Sequence, residues 1–271
     1  METHFLPYRN STIHYQKRGT GPEWLFCFHG YGELGSSFRV FETLLGHTYT
    51  LISIDFPYHG DTDWQEGLLF DISDLIQIID LIKPKDRLFS IMGYSMGGRV
   101  ALQILQTIPH QIKKLVLIAP DGLHKNIWQW LSTKTTLGNR IFDFTMCNPN
   151  WIMRLLPFAV KLGLFNKNRL KFVHYYLDDA EQRSLLFKRW TTMRKFSPNA
   201  ALVKQSILKN KISVNLVFGK YDRIILAKHG FHFSKNVEIF VTVTQLEAGH
   251  QLLKEKYAIQ IAELFFEKEP T

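Results

Sequence analysis

The chain has 271 residues, 45% of them hydrophobic and 21% charged, with a formal net charge of +9 at pH 7. This composition is that of an ordinary globular protein, and it excludes a disordered or collagen-like chain. No run reaches the roughly 18 apolar residues of a membrane-spanning helix, and residues 1–10 lack the apolar region of a secretory signal, so we expect a soluble, cytoplasmic protein without a transmembrane segment.

Short apolar runs alternate with segments of helical periodicity along most of the chain, which predicts βαβ units and a mostly parallel sheet. The predicted strands, the first of them an antiparallel edge strand, are residues 11–16, 24–28, 49–54, 88–92, 115–119, 214–218 and 237–243. Cys27 lies inside one of these runs and Cys147 is far from it in the sequence. We therefore expect no disulfide framework.

Helical periodicity is clearest in the segment 72–82. Its apolar residues recur at positions i, i+3, i+4, i+7 and i+10, and Pro84 follows the last of them. This pattern predicts an amphipathic helix with a stop signal. A second helix is predicted directly after the strand that ends at Met92, and a third over residues 251–266.

The alternation of strands and helices fails between Gly122 and about Asn210, where helix-compatible segments follow one another. We interpret this stretch as a helical cap domain, residues 121–210, inserted into a core formed by residues 1–120 and 211–271. The cap segment holds four of the six tryptophans. Their clustering indicates either core packing of the cap helices or a wall for an apolar acyl group.

The positive charge of the chain is concentrated in the same segment. Residues 121–210 contain 15 Lys and Arg against 5 Asp and Glu, whereas the rest of the chain contains 18 against 19. One interpretation is a solvated, lysine-rich face. The other is an electropositive lid over a pocket, which would attract anionic substrates or an acidic membrane surface.

A candidate nucleophile lies between a predicted strand and a predicted helix. The sequence Gly93-Tyr94-Ser95-Met96-Gly97 matches the pattern G-x-S-x-G, which arises by chance in about one chain in ten of this length. The context is more specific than the pattern, because a strand enters it and a helix leaves it. Such a turn presents a serine in strained backbone geometry, and small flanking residues avoid clashes there.

A serine hydroxyl needs a base to take its proton, and the base needs a carboxylate to orient it. In this architecture the order along the chain is Ser, then Asp or Glu, then His. His250 follows the last predicted strand, and Asp222 follows the strand before it. Asp121, directly after the strand that ends at Ala119, is the alternative for the acid. The predicted catalytic residues are Ser95, Asp222 and His250.

Acyl transfer also needs hydrogen-bond donors for the developing oxyanion. The backbone N–H of Met96 is the first candidate, since it follows the nucleophile. The second is the backbone N–H of Tyr31, in the loop His29-Gly30-Tyr31-Gly32 after the strand 24–28. We expect the side chain of His29 to shape that turn rather than to take part in catalysis.

Taken together, the His29-Gly30 loop, the segment 55–60, the Ser95 elbow, the segment 219–222 and Gly249-His250 resemble the α/β-hydrolase superfamily. The resemblance covers the chain outside the cap. It implies a mostly parallel sheet flanked by helices, with a helical cap inserted after the sixth strand. One departure is Tyr58-His59-Gly60, where Gly-His-Gly is more usual.

Within that superfamily the serine nucleophile argues against dehalogenases and epoxide hydrolases, which resemble this fold but carry Asp at the elbow. We expect hydrolysis of a carboxylic ester or related acyl substrate through an acyl-enzyme. One alternative is a lyase, because the segment 93–99 is similar to the elbow of menaquinone-pathway SHCHC synthases, and Arg99 could take part. Another is a low-turnover small-molecule receptor.

No metal-ligand spacing, Walker-type loop or nucleic-acid recognition motif is found in the sequence. We therefore expect no cofactor, no metal and no nucleic-acid partner. The expected partner is a small-molecule substrate, either anionic or with an apolar acyl group.

Overall fold

The computed structural model describes residues 1–124, 127–161 and 177–267. The chain divides into two compact units. The core unit comprises Met1–Glu66, Asp71–His124 and Lys195–Thr271, and the helical unit comprises Gly67–Phe70 and Lys125–Arg194.

An eight-stranded sheet forms the centre of the core unit, in the order β1-β2-β4-β3-β5-β6-β7-β8. Its strands are β1 Glu2–Tyr8, β2 Ser11–Arg18, β3 Glu23–Phe28, β4 Tyr49–Ile54, β5 Phe89–Tyr94, β6 Ile112–Ile118, β7 Ser213–Gly219 and β8 Val241–Leu246. Strands β3 to β8 are parallel to their neighbours in that set, and β2 pairs antiparallel with both β1 and β4. The predicted mostly parallel sheet is confirmed.

The edge of the sheet differs from the prediction. The strand at residues 11–16 is antiparallel as expected, but β1 lies outside it and forms the edge. A tight turn at Arg9 and Asn10 joins the two strands, with Arg9 at φ 53°. Because β1 exposes side chains along most of its length, it has no apolar run from which a strand could be predicted.

The central strands are mostly buried. Every residue of β4 and β5 is buried, as are the last four of β3. Parallel strands covered on both faces are apolar along their whole length rather than alternating. This is why these strands were predictable from short apolar runs.

Near the C-terminus, one strand lies later in the chain than predicted, and one helix is shorter than predicted. The strand predicted at residues 237–243 is β8, Val241–Leu246, because the backbone N–H groups of Phe240 and Val241 both donate to the carbonyl of Val237 and close a turn there. The helix predicted at residues 251–266 spans only Glu255–Glu263.

The core helices flank the sheet. They are α1 Glu42–Leu45, α2 Ile72–Ile82, α3 Met96–Thr107, α8 Ala200–Asn210, α9 Ala227–Ser234 and α10 Glu255–Glu263. The predicted bounds of α2 are confirmed. Asp71 caps this helix by accepting from the backbone N–H groups of Ser73 and Asp74, and the Asp74 carboxylate accepts in return from the N–H of Asp71. This is a capping box.

The helical unit follows β6, as predicted. Its described helices are α4 Ile127–Lys134, α5 Thr136–Cys147, α6 Asn150–Lys161 and α7 Ala180–Thr192. It is shorter than the predicted cap at residues 121–210, because α8 packs against α3 and belongs to the core unit. That the helical unit acts as a cap stays a prediction. Over the residues described, no helix combines the length and the apolar character needed to cross a membrane.

Candidate active site

Three polar side chains come from loops that follow β5, β7 and β8. Ser95 comes directly after β5, Asp222 lies three residues after β7, and His250 lies four residues after β8. The carboxyl ends of parallel strands meet at one edge of a sheet, which is where open α/β sheets gather their sites. The fold therefore brings residues together that are up to 155 positions apart.

Ser95 occupies a strained turn between β5 and α3. Its backbone has φ 49° and ψ −112°, a combination that costs a non-glycine residue roughly 1–3 kcal/mol. Hydrogen bonds to the end of β6 hold the turn, since Ser95 N–H donates to the carbonyl of Ile118 and Asp121 N–H donates to the carbonyl of Ser95, both at 2.9 Å.

Two glycines make room for this turn. A Cβ atom on Gly97 would overlap the carbonyl oxygen of Phe28, at the end of β3. A Cβ on Gly98 would lie 2.5 Å from the Cβ of Pro120. The elbow therefore packs closely against the ends of β3 and β6, which only residues without a side chain permit.

The imidazole of His250 lies between the serine and the aspartate. Its Nε2 is 3.1 Å from Ser95 Oγ, and its Nδ1 is 2.7 Å from Asp222 Oδ2. An ionised carboxylate can only accept, so the proton is on Nδ1 and Nε2 is left to accept the serine proton. The hydroxyl of buried Tyr94 donates to the backbone carbonyl of His250 at 3.2 Å and helps to hold this loop.

The Asp222 side chain is fully buried, whereas that of His250 is 15% exposed. Burial alone would raise the pKa of Asp222, but hydrogen bonds from His250 and from the backbone N–H groups of Ile225 and Ile224 outweigh it and lower the pKa below its usual value. Those two N–H groups reach Oδ1 at 3.0 and 2.7 Å. The carboxylate is thus held ionised and fixed in orientation.

Asp121, the alternative acid, has different neighbours. Its Oδ1 accepts from the N–H of Gly122 at 2.7 Å, and its Oδ2 lies 3.6 Å from Nε of the buried Arg99. Arg99 lies on α3, one turn after Ser95. The geometry joins His250 to Asp222 and Arg99 to Asp121.

The two predicted oxyanion donors come from the start of α3 and from the loop after β3. Met96 is the first residue of α3, so the α-helical pattern leaves its N–H without a partner in the helix. Tyr31 follows Gly30, whose Cα is so close to the elbow that a Cβ there would lie 3.3 Å from the Cβ of Ser95. The loop bearing Tyr31 therefore lies beside Ser95.

His29 shapes this loop, as expected. Its Nδ1–H donates to the carbonyl of Gly30 at 2.8 Å, and its Nε2 accepts from the N–H of Phe56 at 3.1 Å. His59 is held in the same tautomer, with Nδ1–H on the carbonyl of Pro57 and Nε2 accepting from Gly32 N–H. Both rings tie the loop after β3 to the loop after β4.

A second His–Asp pair was not predicted from the sequence. His14 Nδ1 lies 2.7 Å from Asp55 Oδ2, and the two side chains are only 3% and 4% exposed. Asp55 Oδ1 accepts from the N–H of Gly35 at 2.6 Å, and the hydroxyl of Thr62 donates to the Asp55 carbonyl at 2.7 Å. The position of Asp55 directly after a buried strand was the available signal.

The departure at Tyr58 has a structural consequence. Tyr58 has φ 62°, in the left-handed region where glycine is unstrained. Gly60, two residues on, has φ 52°, and a Cβ there would overlap the Asp55 carboxylate. The loop therefore keeps a left-handed backbone at Tyr58 although the residue is not glycine.

A mostly parallel eight-stranded sheet with a helical insertion after its sixth strand defines an α/β-hydrolase fold. Residues 23–147 match the family model described as the α/β hydrolase fold. An α/β hydrolase enzyme from a Medee basin deep-sea metagenome library has a similar fold, with a TM-score of 0.70 and 12% identity over 98% of both chains. The match over residues 23–147 and the similar fold support the α/β-hydrolase superfamily for this chain.

Curated relatives carry hydrolase names. An uncharacterized hydrolase, YugF, of Bacillus subtilis is 26% identical over 258 residues, which is 90% of this chain and 88% of the relative. A pimeloyl-[acyl-carrier protein] methyl ester esterase of Aeromonas salmonicida is 26% identical over 129 residues, 47% of this chain and 50% of the relative. Together with the family-model match, these relatives support the assignment of the chain as a hydrolase.

Proposed function

We propose that the chain is a serine hydrolase that cleaves a carboxylic ester or a related acyl substrate through an acyl-enzyme. The observation that carries the proposal is the continuous hydrogen-bonded series from Ser95 Oγ through the His250 ring to Asp222 Oδ2, with distances of 3.1 and 2.7 Å. Nucleophile, base and orienting acid are the three parts that such chemistry needs.

In the proposed first step, His250 Nε2 takes the proton of Ser95 as Oγ attacks the substrate carbonyl. Asp222 stabilises the imidazolium that forms. The N–H groups of Met96 and Tyr31 donate to the oxyanion, each contributing about 2.7–4 kcal/mol. His250 then gives its proton to the leaving alcohol, and a water molecule, activated by the same ring, releases the acid from Ser95.

Asp222 is preferred over Asp121 as the acid on geometric grounds. The carboxylate of Asp222 contacts His250 Nδ1, and its other oxygen is occupied by two backbone N–H groups that prevent it from turning away. Asp121 instead lies beside Arg99.

The lyase alternative is placed second because of the surroundings of Arg99. A role for Arg99 on a carboxylated substrate requires its guanidinium to face that substrate. The side chain is instead about nine-tenths buried, with Nε 3.6 Å from Asp121 Oδ2. A guanidinium already beside a carboxylate is less available for a second one.

The test is turnover of p-nitrophenyl esters of short and medium acyl chains by the wild type and by Ser95→Ala. We expect multiple turnovers by the wild type and none above background by the variant. A chain that binds the esters without turnover supports the receptor alternative. Ester hydrolysis that survives in Ser95→Ala contradicts the proposed nucleophile.

A further inference from the structure

The helical unit presents apolar side chains outward on two adjacent helices. On α5, Leu137, Ile141 and Phe144 are 71%, 50% and 59% exposed. Their spacing of four and three residues places them on one face of the helix. Three large side chains exposed on a single helix face are more than the isolated surface leucines of an ordinary globular protein.

The opposite side of α5 faces the interior of the helical unit. Phe142 packs against Phe187 and Trp190 of α7, with ring centroids 5.4 and 5.8 Å apart, and Met146 is buried. Both Phe142 and Met146 point about 130–170° around the helix from the middle of the exposed face. The exposed face is therefore not needed to hold α5 in its unit.

Helix α4 shows the same arrangement. Ile127, Trp130 and Leu131 are exposed, and Thr133 on the other side of the helix is buried. The two helices pack together closely, since a Cβ on Gly138 of α5 would overlap the carbonyl oxygen of Leu131. We call the six exposed apolar residues of these helices the outer face: Ile127, Trp130, Leu131, Leu137, Ile141 and Phe144.

Basic residues accompany the outer face. Lys134 ends α4 at the position seven residues after Ile127, Arg140 lies on α5 next to Ile141, and both are exposed. The segments that form the helical unit contain 12 Lys and Arg against 4 Asp and Glu, so this unit carries nearly all of the net charge of the chain. Exposed aromatic and aliphatic side chains flanked by Lys and Arg are typical of helices that lie in the interface of an anionic membrane.

We propose that the helical unit docks the chain on an anionic lipid surface through the outer face of α4 and α5. The apolar side chains enter the boundary between headgroups and acyl chains, and Lys134 and Arg140 attract the anionic headgroups. A second copy of the chain is a poorer occupant, because two units of like charge repel each other. The proposal goes beyond ester hydrolysis and does not depend on it.

The direct test is co-sedimentation of the full chain with phosphatidylcholine vesicles, with and without phosphatidylglycerol. We expect binding to the anionic vesicles that weakens with added salt, and little binding to the neutral ones. A blue shift of tryptophan fluorescence should accompany binding and should shrink in Trp130→Phe. Absence of binding to anionic vesicles overturns the proposal.

Two variants separate the apolar and electrostatic contributions. Leu137→Ser/Ile141→Ser/Phe144→Ser should weaken vesicle binding about tenfold or more, and Lys134→Gln/Arg140→Gln should weaken it roughly fivefold per residue. The matched control is Leu81→Ser/Ile239→Ser/Ile259→Ser, which removes equally exposed apolar residues from the core unit and should bind as the wild type does.

Other outcomes contradict the proposal. If the charge variant loses binding and the apolar variant does not, the attraction is electrostatic adsorption without insertion. If the apolar variant instead abolishes a concentration-dependent dimer, the outer face is an interface between copies. Ser95→Ala should bind vesicles normally, so a failure of the proposed hydrolysis is distinguishable from a failure of membrane docking.

Discussion

Two His–Asp pairs in the core unit have the same spacing and different surroundings. His250 and Asp222 are 2.7 Å apart, as are His14 and Asp55. In each pair the other carboxylate oxygen accepts from backbone N–H. The difference lies at Nε2, because His250 is partly exposed and faces Ser95 Oγ, whereas His14 is almost fully buried.

A His–Asp contact alone therefore does not identify a catalytic site. The pair at His14 fastens β2 to the loops after β3 and β4, through Gly35 and Thr62. The pair at His250 has the Ser95 hydroxyl, the proposed nucleophile, within hydrogen-bond distance. We therefore expect loss of the His14–Asp55 pair to lower stability and loss of the His250–Asp222 pair to lower activity.

The largest effect is expected from removing each imidazole. His250→Ala should lower kcat for a p-nitrophenyl ester about 10⁶-fold, because triad members act as a unit, with little change in Tm. His14→Ala should lower Tm and leave the kcat of the folded protein nearly unchanged. In a Ser95→Ala/His250→Ala double variant, kcat should fall little further than in either single variant. Additive losses of kcat would show that the two residues do not act together.

Substitution of the two aspartates should likewise separate activity from stability, with smaller effects than removal of the imidazoles. Asp222→Asn should lower kcat about 10⁴-fold, because the imidazole is left in the wrong tautomer. Asp55→Asn should instead lower the free energy of unfolding by about 2 kcal/mol through loss of a buried charge-assisted hydrogen bond. Asp121→Asn serves as the control for the acid, and a loss of kcat near 10⁴ there would show that the wrong carboxylate has been chosen.

Backbone strain at the elbow is expected to have a moderate effect on stability. Both Ser95→Gly and Ser95→Ala should be inactive, but the Gly variant should be more stable by about 1 kcal/mol because φ 49° is strained for alanine. Urea unfolding of the two variants measures the difference. Equal stability would mean that the turn is not strained.

A parallel comparison applies at Tyr58, where φ is 62°. Tyr58→Gly should be more stable than Tyr58→Ala, again by about 1 kcal/mol, because both variants remove the same ring and differ in backbone freedom. Calorimetric Tm values provide the measurement. A higher Tm for the Ala variant would argue against a left-handed backbone at this position.

The smallest effect concerns pH. Because the pKa of Asp222 is lowered in the folded state, the ionised carboxylate contributes stability above the unfolded pKa of about 3.9, and that contribution is lost as pH falls through the folded value. The free energy of unfolding of the wild type relative to Asp222→Asn should therefore decline below about pH 4. Urea titrations at several pH values measure it, and a difference that grows on acidification would contradict the assignment.

Some helices and strands could be predicted from the sequence more accurately than others. The helix at Ile72–Ile82 had both a 3.6-residue period and a stop signal, and its bounds were predicted correctly. The buried strands were visible as apolar runs. Strand β1 was not, since its side chains are mostly exposed and its pairing with β2 depends on a turn at two polar residues.

The two His–Asp pairs show why one site was predictable and the other was not. Ser95, Asp222 and His250 each follow a predicted strand, in the chain order Ser, acid, His, so their meeting could be predicted, with Asp121 left as the alternative acid. His14 lies within β2, and its contact with Asp55 arises from the antiparallel pairing of β2 with β4. No local pattern in the sequence encodes that pairing.

Covalent labelling is the sharpest test of whether Ser95 is the nucleophile of an acyl-enzyme. The chain is treated with a fluorophosphonate, which reacts with activated serines, and the modified residue is located by peptide mass spectrometry. We expect one label, on Ser95 Oγ, that is absent in Ser95→Ala and strongly slowed in His250→Ala. A label on another serine, or ester turnover that continues without any label on Ser95, would contradict it.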